Sequence, residues 1–73
     1  MKKIIISQHG NWFTFSPTGH QFYNRGDEIK INGLNNLIHK LKEENLLVDR
    51  NDGYNTNGKF YEAAIINNLI SKI

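Results

Sequence analysis

The sequence predicts an α+β domain in which a small antiparallel β-sheet, made of N-terminal strands and a hairpin, packs with two α-helices. Three observations point there. Aromatic residues crowd around one tight turn in residues 11–23, the triplet Ile4, Ile5, Ile6 is an apolar run of strand length, and two later segments repeat apolar residues at helical spacing. With 73 residues, positions 1–73 form one domain. A chain of this size buries only about three fifths of the surface its unfolded form exposes.

Residues 3–7 read as the first strand, the isoleucine triplet suiting a central position buried on both faces. His9, Gly10 and Asn11 turn the chain into the aromatic segment. There, Pro17 presets the second position of a type I turn and Gly19 supplies the left-handed residue of a three-residue hairpin loop. Proline cannot take the positive φ that a two-residue primed turn needs. With Ser16 facing His20, Phe15 lies opposite Gln21 and Phe13 opposite Tyr23 on the core face. Trp12, Thr14, His20 and Phe22 take the other face, which is either a second core beneath the C-terminal helix or a recognition surface.

Asn24, Arg25, Gly26 and Asp27 form the next turn, and Glu28, Ile29, Lys30 and Ile31 alternate as a half-buried strand does. Asn32 caps a helix whose stripe is Leu34, Leu37, Ile38 and Leu41, with Asn36, Lys40, Lys42, Glu43 and Glu44 opposite. Asn45 ends it in a left-handed conformation. Leu46, Leu47 and Val48 form a short strand, and residues 49–58 a polar loop. A last helix over residues 60–72 puts Ile65, Ile66, Leu69, Ile70 and Ile73 on one stripe, with Glu62 near its positive end.

Composition excludes several classes. Without cysteine there is no disulfide and no thiolate metal site, which fits a cytoplasmic protein. The start Met1, Lys2, Lys3 followed by isoleucines mimics a signal peptide, but Ser7, Gln8 and His9 end the apolar run too early. No stretch is long enough to span a membrane, so no membrane partner is expected. Nine basic and seven acidic residues give a net charge of +2, with lysines scattered among carboxylates. That balance excludes an acidic nucleic-acid mimic and offers no basic block.

Catalytic and cofactor motifs are incomplete. His9, His20 and His39 fall in different elements without metal-ligand spacing. Asp27–Glu28 and Glu43–Glu44 are turn and helix-end pairs, not an acid and base held apart. Gly26 and Gly33 bracket a strand without forming a phosphate loop. Asp49, Asn51, Asp52 and Gly53 lack the bidentate glutamate of a calcium loop. No cofactor is implied.

Two partial resemblances add function classes. Leu34, Leu37 and Leu41, then Leu46, Leu47, Val48, Asp49 and Arg50, the loop through Asp52, Gly53 and Gly58, and Lys59, Phe60, Tyr61, Glu62 resemble the second half of a winged helix. The resemblance implies a helix in the major groove and phosphate contacts from Arg50 or Lys59. Residues 1–31 read as strands, where that family has helices. Gly10, Trp12 and the segment Thr18, Gly19, His20, Gln21, Phe22 resemble the G-W and G-S-H-x-x-F pieces of HicA-type toxin ribonucleases, which implies RNA cleavage with His20 as the acting residue. Here the glycine and the hydroxyl residue are in swapped order and no second proline-histidine segment follows.

The leading expectation is binding without catalysis. The candidate binding residues are Trp12, His20 and Phe22 on the aromatic face, Tyr54 in the polar loop, and the basic Arg50 and Lys59. Small size, absence of cysteine and abundant isoleucine, asparagine and lysine are similar to phage and mobile-element inhibitors, anti-CRISPR and anti-restriction proteins among them. Such a protein acts by occupying a surface of a host protein or protein–nucleic acid complex. A nucleic-acid-binding module and a HicA-like ribonuclease are the alternatives.

Overall fold

Ile4, Ile6 and Gln8 alternate with Lys3, Ile5, Ser7 and His9, the period of a strand with two unlike faces. In the computed structural model, described over residues 2–18, 28–53 and 59–73, this segment is strand β1, Lys2–His9. Its partner β2, Trp12–Phe15, runs antiparallel, with His9 opposite Trp12 and Ile6 opposite Phe15. Only Gly10 and Asn11 separate the two strands. Gly10 has φ 66 at the first central position, where a two-residue hairpin turn favours glycine.

The other edge of β2 takes β3, Ile29–Asn32, also antiparallel, with Phe13 opposite Ile31 and Phe15 opposite Ile29. Both edges of β2 are therefore filled. This corrects the expected pairing of Phe13 with Tyr23 and Phe15 with Gln21. The hairpin forms one turn earlier, because the Gly10–Asn11 link closes the shorter loop. Residues 19–23 and the turn expected at 24–27 lie outside the described residues.

Gly33, with φ 88, is the N-cap of α1, Leu34–Glu43, and donates its N–H to Asn11 O at 2.7 Å. Asn32, the expected cap, lies one residue before it, and its carbonyl accepts from Asn36 Nδ2 at 2.8 Å. Leu37, Ile38 and Leu41 are buried as their spacing predicts, and Asn45 closes the helix end at φ 61. The chain then returns to the same end of the sheet as β4, Leu46–Asn51, parallel to β1. A strand that follows a helical return runs parallel. The four-stranded sheet, ordered β3-β2-β1-β4, is accordingly mixed and not purely antiparallel as expected.

The last helix, α2, is Ala63–Ser71 with Glu62 as its N-cap. Ile66 and Ile70 are buried, whereas Ile65 and Ile73 are 46% and 51% exposed, so the buried stripe is narrower than its sequence spacing predicts. Asn67 serves a different purpose: its Oδ1 accepts from Val48 N–H and its Nδ2 donates to Val48 O, both at 2.8 Å. The helix is thereby bound to the outer edge of β4.

One apolar cluster forms the core. Ile4, Ile6, Phe13, Phe15, Leu46 and Val48 from the sheet meet Leu37, Ile38, Leu41, Ile66 and Ile70 from the helices. Both helices thus lie on one face. β1 is interior as predicted, but only its even-numbered residues are buried, and Ile5 on the other face is half-buried.

Candidate functional site

The two faces of the sheet differ in chemistry, and a bulge in β4 sharpens the difference. Val48 pairs with Ile4 but Arg50 pairs with Ile5, so Asp49 is an extra residue in the ladder. Simple alternation from Leu46 and Val48 would aim Arg50 inward. The bulge sends Arg50 to the face of Ile5 and brings Asn51, opposite Ile6, to the core side.

Asn51 there meets Gln8, which is 1% exposed. Gln8 Oε1 accepts from Asn51 Nδ2 at 3.0 Å and from Tyr61 N–H at 3.1 Å, while Gln8 Nε2 donates to Gly10 O at 3.1 Å and Lys59 O at 2.7 Å. Asn51 Nδ2 also donates to Tyr61 O at 2.8 Å, and its Oδ1 accepts from the N–H of Gln8 at 3.2 Å and of Gly53 at 2.9 Å. These buried amides are saturated, which marks them as structural. They hold the chain between β4 and α2.

Trp12 stands on the opposite face. Its ring stacks on His9 with centroids 4.1 Å apart and planes 15° from parallel, and Lys30 Nζ sits 4.4 Å from the ring centroid. β2 runs between β1 and β3, so His9 and Lys30 flank the indole from opposite sides. His9 Nε2 is fixed by a 3.2 Å hydrogen bond with Thr14 Oγ1. The half-buried indole thus has His9 against one face and Lys30 against the other. Neither helix lies on this face, which also carries Lys3, Ile5, Ser7 and Asn32 by register.

The described part of this face carries three cations, one of them ion-paired. Lys3, Lys30 and Arg50 project from three of the strands by register. Arg50 is held by Asp52 through Nε to Oδ1 at 2.6 Å and Nη2 to Oδ2 at 3.2 Å. That hydrogen bond, with the charge of Asp52 behind it, raises the guanidinium pKa above its ordinary value.

The sequence-predicted site residues scatter. Trp12 occupies the open face, and Arg50 reaches the same face across β1. Lys59 is exposed and contributes its carbonyl to Gln8. His20, Phe22 and Tyr54 lie outside the described residues. The alternative of Trp12 beneath the last helix is not realised, since Ile66 packs with Phe13 and Phe15 in the core. His9 and Lys30, absent from the sequence candidates, complete the Trp12 cluster. Strand alternation through β3 was the signal for Lys30, and the two-residue turn was the signal for His9.

The winged-helix geometry is also absent from the described part. Residues 59–62 form no strand, and β4 lies between β1 and the Asn67 side chain. Near α2, Asp49, Arg50, Asn51, Phe60, Glu62 and Ala63 line a shallow depression of mixed charge. Among the described residues no group of three His, Asp or Glu side chains could hold a metal, and no helix is long and apolar enough to cross a membrane. Searches of protein-family models, curated proteins and solved structures find no match to this chain.

Proposed function

We propose that this chain is a non-enzymatic binding domain whose open sheet face, centred on Trp12, docks onto an acidic surface of a protein partner. The observation that supports it most is the Trp12 side chain held between His9 and Lys30 on the face that neither α1 nor α2 covers. A tryptophan fixed in one orientation loses little entropy on docking, and such residues dominate interface energetics. Lys30 at its ring and Lys3 on the same face, about 20 Å away along β1, favour a partner of negative charge. Both ring faces are already covered, which favours a protein pocket for the indole edge over base stacking, for which a free face is needed. The small, cysteine-free composition, rich in isoleucine, asparagine and lysine, fits an inhibitor or accessory factor of a phage or mobile element.

The test is capture from a host lysate with and without nuclease, using wild type and Trp12→Ala. A protein retained by wild type in both conditions and lost from the variant, with the melting temperature lowered by only a few degrees, supports the reading. Capture that disappears with nuclease transfers it to nucleic acid. Retention by Trp12→Ala removes the open face from consideration.

A further inference from the structure

Among the described residues the exposed large hydrophobic side chains are Phe60, Ile65 and Ile73, at 41%, 46% and 51% exposure. All three lie on α2 or within three residues of its ends. Ile65, Leu69 and Ile73 recur every fourth residue, and Leu69 is itself only half-buried, so they form one continuous apolar strip beside the buried Ile66 and Ile70. Ala63–Ser71 carries no charge at all, while Glu62 precedes it and Lys72 follows it, both exposed. A helix surface without charge is unusual on a protein that keeps its other helix well charged, as Lys40, Lys42 and Glu43 show.

We infer that α2 is the contact of a homodimer in which a second copy packs its own α2 antiparallel across a two-fold axis. Charge selects this occupant. Antiparallel packing brings Glu62 of each copy toward Lys72 of the other, twice per dimer, and opposes the two helix dipoles. The rest of the contact is neutral, so two molecules of net charge +2 meet without local repulsion. Ala64 and Asn68 on the outer side of the helix are small enough to admit a close approach. A nine-residue helix offers less than the ~800 Å² per partner of a standard interface, which places the dimer among weak, concentration-dependent associations.

Sedimentation velocity across about 10 to 500 µM reads this directly, because the dimer population follows protomer concentration. Wild type should shift from monomer mass toward twice that mass. The double variant Ile65→Gln with Ile73→Gln, both exposed positions, should stay monomeric at the highest concentration with an unchanged melting temperature. Glu62→Lys should weaken the dimer at least about threefold, and adding Lys72→Glu should restore it, as expected for an exposed reciprocal ion pair. A wild type that remains monomeric throughout, or a dimer that survives the double glutamine variant, overturns the inference. Neither result bears on the Trp12 face, which lies across the sheet from α2.

Discussion

Gln8 and Asn51, on neighbouring parallel strands, bind each other twice: Gln8 Oε1 accepts from Asn51 Nδ2 at 3.0 Å, and Gln8 N–H donates to Asn51 Oδ1 at 3.2 Å. The pair also collects the backbone of Gly10, Gly53, Lys59 and Tyr61. Gln8→Leu keeps the volume but strands several of these buried groups, and it should destabilise the domain by about 2–4 kcal/mol. Thermal unfolding should show a melting temperature lower by about 10–20 °C. A loss of less than a few degrees would mean that water replaces the amide.

Adjacent residues on β2 should respond differently. Phe13, at 1% exposure, sits in the core, and Phe13→Ala should cost about 3–5 kcal/mol, much of the stability of a domain this small. Trp12→Ala gives up one stack and one cation contact on the open face and should cost about 1 kcal/mol. Urea titrations of the two variants check the contrast, and equal losses would refute the assignment of faces.

Two glycines test the backbone. A Cβ on Gly53 would lie 2.5 Å from both Cβ and O of Gln8, atoms of a buried strand with no room to retreat. Gly53→Ala should therefore destabilise by about 1–3 kcal/mol or more. A Cβ on Gly10 meets nothing within 4 Å, but its φ of 66 disfavours most side chains. Gly10→Val should therefore destabilise by about 1–3 kcal/mol, read by thermal unfolding.

Duplex DNA should bind weakly at physiological ionic strength. Lysines are scattered, Arg50 is engaged by Asp52, and residues 59–62 form no wing strand. Fluorescence anisotropy over a salt series measures this. Sub-micromolar affinity that falls steeply with salt, and is lost on Lys3→Ala with Lys30→Ala, would place nucleic acid ahead of a protein partner.

Periodicity carried most of the architecture. The spacing of Leu37, Ile38 and Leu41 and the alternation of Ile29 and Ile31 are local signals, and both segments form the predicted elements. Pairing is less legible. Pro17 and Gly19 are strong turn residues, yet the partners of β2 are chosen by the shorter Gly10–Asn11 link and by a strand that returns from residue 29. The parallel β1–β4 contact depends on a helical return, which leaves no mark in either strand's own sequence. Arg50 and Asn51 exchange faces because of a bulge at Asp49 that alternation cannot reveal. Gln8 reads as a polar strand end, and only its far partners at 51, 59 and 61 show why it is buried. The Trp12 cluster was half legible for the same reason: one residue was visible, its neighbours depended on register.

The carboxamide of Asn67 is chemically a peptide group, so the outer edge of β4 meets a fifth strand one residue wide. That edge is closed only while α2 is docked. Each undocking of the helix presents the backbone of Val48, beside the apolar Leu46 and Leu47, as a template on which another chain's backbone can pair. Exposure of this edge is then governed by how often a nine-residue helix lifts away, an event that must take Ile66 and Ile70 out of the core. The cover over this edge at Val48 is in this sense a single side chain of the last helix.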